Sequence, residues 1–289
     1  MGKTRKTMKY QVQERLFGME AYGHSKHMDK AQNGGKPALD KIYSYSTMSN
    51  YMDASVRFAR WAKETYGCRD LQSAEKYTGE YLQHRMDSGR SAWTVRRDAA
   101  ALAKLYQKGT GDLGAVLPKR SRADVTQHRG SVSAGKFSEA RNKDLVDFCR
   151  STGLRRHEVG ALRPEDVQQR PDGSVFVHVN SGKGGKARIV QALNSRPAEI
   201  AAARSCGSGS GKLFDNIPCR APIHAYRREY AQELYRQLAR PIGSLSKSEV
   251  YRCRKDMGGV SFDKQAMKTV SEMLGHNRLD VMTTYLKES

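Results

Sequence analysis

Apolar residues in the first half of the chain recur at the three- and four-residue spacing of helices. This spacing predicts a small bundle of three helices over residues 49–111. A glycine follows each predicted helix, as is usual where the chain leaves a helix. Residues 1–48 contain one further helical pattern, from about Lys6 to Ala21, and we interpret them as an N-terminal extension of unassigned fold.

The second half combines helical patterns with one short segment that has the signals of strands. Residues 175–179 and 187–191 flank a glycine-rich turn, which predicts a β-hairpin. The predicted helices around it cover about residues 136–150, 154–162, 197–204, 223–239, 247–257, 263–274 and 279–287.

The sequence therefore predicts a mainly α protein with a small β-sheet. Residues 112–135 are basic and lack apolar periodicity, so we interpret them as a linker. They would join the helical domain to an α+β domain over residues 136–289.

The charge of the chain indicates its partner. The 289 residues include 51 Lys and Arg against 30 Asp and Glu, a formal net charge of +21 at pH 7. Residues 1–130 have 24 basic and 13 acidic residues, and residues 131–289 have 27 and 17. Because the excess is shared by both halves, it predicts an extended nucleic-acid-binding surface and not a basic tail. A ribosome-associated protein, or one that is merely basic and soluble, is the alternative.

Cysteine spacing and the lengths of apolar runs exclude several other classes. The five cysteines are odd in number and form no CxxC pair, so neither a zinc site nor a disulfide framework is predicted. No apolar run approaches the roughly 18 residues of a membrane-spanning helix, and none of secretory length follows the basic N-terminus. We expect a cytoplasmic protein with no membrane partner.

Five separated segments place cationic, imidazole and phenol side chains in a definite order. They are Thr152-Gly153-Leu154-Arg155 followed by Glu158, the hairpin turn with Lys183, His224-Ala225-Tyr226-Arg227, Leu274-Gly275-His276, and Thr283-Thr284-Tyr285. Each fragment alone is common by chance, whereas the ordered set is specific. With this set the sequence resembles the tyrosine recombinase family, the phage integrases and their Cre-like and Xer-like relatives. The resemblance is good over residues 136–287 and looser over residues 49–110.

The resemblance implies a fold, an activity and a set of partners. The fold would be a helical, SAM-like core-binding domain followed by a tyrosine recombinase catalytic domain. The activity would be site-specific recombination or integration through a covalent 3′-phosphotyrosyl intermediate, serving a mobile element such as a phage or a conjugative transposon. The partners would be DNA with specific recombination sites, a homotetramer in the synaptic complex and, as an option, accessory DNA-bending proteins. The setting would be the nucleoid of a bacterial or phage-infected cell.

The chemistry of the residues supports the same interpretation. A tyrosine can hold a phosphate covalently until another strand's hydroxyl displaces it, and Tyr285 suits this role. Two guanidinium groups can bracket the non-bridging oxygens of the transition state while staying charged, a role that suits Arg155 and Arg227. The departing 5′ oxygen needs a proton, which an ammonium on the hairpin turn can supply. The turn offers Lys183 and Lys186, and the resemblance assigns Lys183.

The two histidines and two carboxylates have predicted roles around these groups. His224 and Arg227 are three positions apart on a helix and share a face, so one can bind the phosphate while the other takes the phenol proton. We expect His276 to hydrogen-bond a non-bridging oxygen. Glu158, and similarly Asp166, is expected to buttress the arginines. Neither clustered carboxylates for a two-metal site nor a P-loop is present, so no metal or cofactor is predicted.

DNA contacts are predicted from basic residues in and near the third helix and in the linker, with a solvated basic face as the alternative. These residues are Arg85, Arg90, Arg96, Arg97, Lys119, Arg120 and Arg122. Only four residues follow Tyr285, where many relatives have a helix that docks on a neighbouring protomer. The extension before residue 49 is long and has a basic start at Lys3, Arg5, Lys6 and Lys9, so we expect it to supply a protomer contact or a second DNA contact. Relaxation of DNA, as in type IB topoisomerases with the same catalytic set, and a catalytically silent DNA-binding protein are the functional alternatives.

Overall fold

The structure is a computed structural model that describes residues 6–121, 137–182, 185–194, 196–199, 201, 211–254, 257–276 and 278–286. The chain divides into two compact units, which we call the helical unit (residues 1–124) and the α+β unit (residues 125–289). Helices dominate both units and the small sheets lie in the second, so the predicted fold class is confirmed. Among the described residues, no helix has the length and apolar character needed to cross a membrane.

The helical unit is a bundle built around one long helix. Its helices are α1 (Met8–Phe17), α2 (Lys26–Gln32), α3 (Tyr45–Tyr66), α4 (Leu71–Ala74), α5 (Thr78–Asp87) and α6 (Ala92–Leu105), with 3₁₀ turns at Glu75–Tyr77 and Thr110–Leu113. Helix α3 is capped by Ser44, whose hydroxyl accepts a hydrogen bond from the Thr47 amide. It ends at Gly67, where a φ of 65° gives the left-handed turn that favours glycine.

The core of the helical unit includes part of the predicted extension. Val12 and Leu16 of α1 are fully buried together with Phe58 of α3 and Leu102 of α6. Each such side chain contributes about 1.5–3 kcal/mol by leaving water. The boundary predicted between residues 48 and 49 therefore does not separate two structural units, because α1 can bury its apolar face only against the bundle.

The predicted linker also begins inside the helical unit. Leu113 is buried, and Leu117 packs on the bundle core. The guanidinium of Arg96 donates to the carbonyls of Leu117 and Pro118, at 3.3 and 2.6 Å, and so fixes this segment to α6. Residues 122–135, the rest of the predicted linker, lie outside the described residues.

The α+β unit surrounds a small antiparallel sheet with helices. The helices are α7 (Lys143–Thr152), α8 (Arg156–Val159), α9 (Ile223–Leu238), α10 (Lys264–Met273) and α11 (Leu279–Leu286), with 3₁₀ turns at Ala140–Asn142, Pro164–Asp166 and Ile242–Ser244. Residues 196–199 are helical as well. Strands β1 (Val167–Gln169), β2 (Val175–Val179) and β3 (Arg188–Gln191) form one sheet in that order. Strands β2 and β3 are the predicted hairpin, which is confirmed, with Val177 opposite Val190.

A second, two-stranded sheet replaces one predicted helix. Strand β4 (Val250–Arg252) pairs with β5 (Ser261–Asp263), so the helix predicted over residues 247–257 is wrong. Valine and tyrosine fit a pleated surface well, and here Tyr251 lies opposite Phe262. Gly259, with a φ of 90°, lies in the connection between the two strands.

One glycine sets how the chain enters the site described below. Helix α7 ends at Gly153, where φ is 60° and a Cβ atom would lie 2.4 Å from the ring of Tyr230 on α9. Only glycine allows this turn and this close approach. Leu154 and Phe148 are then fully buried in the core of the α+β unit, and Arg155 follows at the start of α8.

Candidate active site

Arg155 is held by the first turn of the helix it precedes. Its backbone amide donates to Oε2 of Glu158 at 2.8 Å, the reciprocal contact of a helix cap. Its guanidinium Nη1 donates to Oε1 of the same carboxylate at 2.7 Å. The main chain and the side chain of Arg155 are therefore both held by one acidic residue three positions later, Glu158.

Arg227 reaches the same place from helix α9 and is fully buried. Its Nη1 and Nη2 donate to the carbonyls of Gly153 and Leu274, each at 2.5 Å. Arg155 Nη2 donates to the same Leu274 carbonyl at 3.2 Å. One backbone oxygen thus brings two guanidinium groups together from segments far apart in sequence.

The surroundings of Arg227 disfavour the charged form of its guanidinium group. Burial, followed by the neighbouring Arg155 guanidinium, lowers the pKa of Arg227 to about 10, so it is still charged at pH 7. Its Nε atom is buried and has no hydrogen-bond partner among the described residues. A bound anion would offset the repulsion between Arg227 and Arg155, and it would provide hydrogen-bond acceptors for their guanidinium groups.

His276 and Tyr285 complete the cluster within the same chain. The Nε2 atom of His276 lies 3.4 Å from Nη2 of both Arg155 and Arg227. The Tyr285 ring centroid, on α11, lies 5.6 Å from that of His276 and 5.7 Å from Cζ of Arg227. A side-chain hydrogen bond with Tyr285 is among the interactions that favour the charged form of Arg227. The phenol is therefore beside the paired guanidinium groups.

Arg188 is a functional candidate that the sequence did not single out. It donates to both oxygens of Glu158, at 2.9 and 2.7 Å, from the first residue of β3. Burial raises the pKa of Glu158, but the bonds from Arg188 and from the Arg155 amide outweigh it and lower the pKa to about 2. The alternation of side chains along a strand could have identified it. Arg188 is two residues before the fully buried Val190 and therefore shares the inward face of β3.

Three further residues were predicted at the site: His224, Lys183 and Asp166. His224 is exposed on the first turn of α9, whereas Arg227 one turn later is buried. Lys183 lies outside the described residues. The carboxylate of Asp166 accepts hydrogen bonds from the Arg163 amide and from Asn180 Nδ2, each at 2.8 Å. These bonds hold the segment after β2 that leads into the hairpin turn, and the role of Asp166 as a support for the arginines stays a prediction.

In the helical unit, the predicted DNA contacts divide into buried and accessible groups. Arg85 is only 11% exposed and pairs with the fully buried Asp98 at 3.0 Å, and Arg96 donates from Nε and Nη2 to backbone carbonyls, so both contribute to the fold and their contact with DNA stays a prediction. Arg97 also pairs with Asp98 but is 44% exposed. Arg57, which the sequence analysis did not select, also pairs with Asp98 and is 42% exposed.

The remaining predicted contacts lie on or near the surface of the helical unit. Arg90, Lys119 and Arg120 are exposed, and the guanidinium of Arg120 covers the ring of Trp93 at 4.8 Å. Arg122 lies outside the described residues. In the described part of the chain, no group of three or more His, Cys, Asp or Glu side chains is arranged to hold a metal ion.

Comparison with known proteins identifies the fold. The chain is similar to two crystal structures of XerH site-specific recombinase, one bound to difH substrate in a pre-cleavage complex and one bound to palindromic difH substrate in a post-cleavage complex. The TM-scores are 0.55 and 0.54 at 14% sequence identity, over 98% of this chain and 91% of each XerH chain. No protein-family model matches the sequence, and no curated protein does. The chain thus has the fold of these recombinases at a low level of sequence identity.

Proposed function

We propose that this protein is a site-specific DNA recombinase that cleaves and rejoins DNA through a covalent bond between Tyr285 and a 3′ phosphate. The observation that carries the proposal is the phenol of Tyr285 beside Arg227 and His276, with Arg155 on the same carbonyl oxygen. The fold shared with XerH, whose crystal structures contain its difH substrate, supports it as well.

The first step is attack of the Tyr285 phenol oxygen on a backbone phosphorus atom. The O–P bond to tyrosine forms as the bond to the 5′ oxygen breaks, and the phenol proton passes to His224 as general base. Arg155 and Arg227 bind the two non-bridging oxygens, whose negative charge is concentrated in the transition state. His276 donates to one of these oxygens.

The second requirement is a proton for the departing 5′ oxygen. Lys183, on the hairpin between β2 and β3, supplies it as general acid and receives it back when a 5′ hydroxyl attacks the phosphotyrosine. One phosphodiester is exchanged for a phosphotyrosyl ester and then restored, so the reaction needs no external energy source. Lys186 is exposed in the same turn and is the alternative acid.

The helical unit supplies the second DNA-binding surface in this proposal. Five of its accessible cationic side chains contact backbone phosphates. They are Arg57, Arg90, Arg97, Lys119 and Arg120. Four protomers on two duplexes would cut one strand of each, exchange strands through a Holliday junction and repeat the cycle, in the service of a mobile element.

The direct test removes one oxygen atom. Tyr285→Phe should bind its DNA site with unchanged affinity and form no covalent adduct on a nicked suicide substrate, because the ring remains and only the nucleophile is lost. Tyr251→Phe, which removes a phenol from strand β4, is the matched control and should form the adduct normally. An adduct formed by Tyr285→Phe would contradict the proposal, as would an inactive wild-type protein on its own site.

A further inference from the structure

Arg188 connects three segments of the site that are remote in sequence. Its guanidinium binds Glu158 in a bidentate pair, at 2.9 and 2.7 Å, and its Nε donates to the carbonyl of Met273 at 3.0 Å. Glu158 belongs to the segment of Arg155, and Met273 ends the helix that precedes His276. A single side chain of strand β3 therefore links both segments to the hairpin.

Two glycines make room for this side chain. A Cβ atom on Gly275 would lie 3.1 Å from Cδ of Arg188, and one on Gly182 would lie 2.8 Å from its Nη1. Gly275 also has a φ of 64°. The hairpin and the loop of His276 thus both approach Arg188 so closely that a side chain at either glycine would crowd it.

The carboxylate of Glu158 is shared evenly between two arginines. Oε1 accepts from the guanidinium groups of Arg155 and Arg188, and Oε2 accepts from the Arg155 amide and from Arg188. Both side chains of the Glu158–Arg188 pair are almost completely buried, at 0% and 10% exposed. A buried ion pair adds little stability compared with apolar residues of the same volume, so stability alone does not account for it.

We propose that Arg188 is a positioning residue for DNA cleavage, which fixes the Glu158 carboxylate and thereby holds the Arg155 guanidinium in place to receive the phosphate. With Arg188 in place, Glu158 cannot rotate with Arg155 and draw it away from Leu274 and His276. This inference rests on the proposed recombinase function. It concerns a residue that acts through Glu158, not one that touches DNA.

The test compares the rate of covalent adduct formation at saturating DNA among single and double variants. Arg188→Gln should slow adduct formation about 10²-fold, the cost of a displacement near 1 Å, while DNA affinity stays unchanged. Arg188→Lys keeps the charge but not the bidentate geometry, and should recover part of the rate. Arg240→Gln breaks a similar bidentate pair with the buried Asp263 outside the site, and should leave the rate unchanged.

A double-variant cycle separates positioning from a structural role. If Arg188 acts through Glu158, then Arg188→Gln should cost almost nothing further in a Glu158→Gln background. Equal costs of Arg188→Gln in both backgrounds would overturn the proposal, as would a wild-type rate for Arg188→Gln. If instead the wild-type protein itself forms no adduct, the proposed recombinase function fails, so the two failures are distinguishable.

A pH profile gives a second signature. Among the described residues, the charged groups that face Glu158 are Arg155, Arg188 and Arg227, with His276 beyond the arginines. Loss of Arg188 should raise the pKa of Glu158, because the hydrogen bond that lowers this pKa most is then removed while the effect of burial remains. The rate of Arg188→Gln relative to wild type should therefore decrease further from pH 7 to pH 5. A ratio that does not change with pH would contradict the proposed route through Glu158.

Discussion

Two buried carboxylates, Glu158 in the α+β unit and Asp98 in the helical unit, each collect arginines from separate elements. Around Glu158, the side chains of Arg155 and Arg188 are both 10% exposed. Around Asp98, Arg85 is 11% exposed, but two further arginines, Arg57 and Arg97, are 42% and 44% exposed. The same ion-pair chemistry therefore produces a closed cluster in one unit and a partly open one in the other.

The difference in exposure suggests a difference in function. Arg155 Nη2 and Arg188 Nε donate to the backbone carbonyls of Leu274 and Met273, which fixes the geometry of these two guanidinium groups. Around Asp98, the exposed guanidinium groups can turn toward a longer polyanion. Changes near Glu158 should therefore alter the rate of cleavage, whereas changes near Asp98 should alter folding of the helical unit and its affinity for DNA.

The largest expected effect is on Arg227. Arg227→Gln should reduce the rate of adduct formation about 10²- to 10³-fold at saturating DNA, because one preorganised donor to the transition state is lost. Arg150→Gln removes an arginine of α7 that is 40% exposed and paired with Glu229, and should leave the rate within about twofold. Single-turnover cleavage measures both. A loss of DNA affinity with an unchanged cleavage rate would place Arg227 in binding, contrary to the account.

Asp98→Asn should show the opposite result. Removing the charge leaves three arginines uncompensated, one of them buried, and should lower the free energy of unfolding by about 3 kcal/mol. Urea unfolding measures this loss, with Asp53→Asn on the exposed side of α3 as the control. The cleavage rate of the folded fraction at saturating DNA should be that of the wild type. A slower rate would remove the contrast between the two clusters.

Acid should act on the Glu158 cluster over a defined pH range. Hydrogen bonds from arginines hold the pKa of Glu158 at about 2 in the folded protein, below its ordinary value of 4.5. The stabilisation is therefore complete above pH 4.5 and is lost as the pH falls through the folded-state pKa. It should amount to about 3 kcal/mol. Denaturant unfolding at pH 6 and pH 2.5 should show a smaller acid effect in Glu158→Gln, and an equal effect in both proteins would contradict this assignment.

The smallest effects are expected at the surface of the helical unit. Arg57→Gln and Arg97→Gln should each reduce the slope of log K against log salt concentration by about 1, the loss of one phosphate contact. Arg60→Gln changes another exposed arginine of α3, three residues from Arg57 and outside the Asp98 cluster, and is the matched control. Slopes unchanged from wild type in both Asp98-linked variants would show that these arginines serve the fold alone.

The helices and the hairpin could be predicted because their signals are local. Apolar spacing marks α6 and α9, and a glycine-rich turn between short apolar runs marks β2 and β3. The place of α1 in the bundle could not be predicted, since its pattern is weak and only the packing of Val12 and Leu16 makes it part of the core. Strand β4 was not predicted because residues 247–257 were interpreted as a helix. Its partner β5 lies beyond a connecting segment, so the pairing has no local signal.

The site residues could be selected by type and order, but not by their contacts. The convergence of Arg155 and Arg227 on the Leu274 carbonyl depends on tertiary packing, including the left-handed turn at Gly153. The sequence also could not separate Arg85 from Arg97, because both are basic residues near the same helix. Only the structure separates them, with Arg85 at 11% exposed and Arg97 at 44% exposed beside the same Asp98.

The central claim is that the oxygen of Tyr285 attacks a phosphorus atom bound by Arg155 and Arg227. Trapping the wild-type protein on a nicked suicide substrate, followed by protease digestion and mass spectrometry, locates the DNA-linked residue and the end to which it is joined. The account predicts a single adduct on Tyr285, linked to a 3′ phosphate. An adduct on another residue, or a link to a 5′ phosphate, would contradict it.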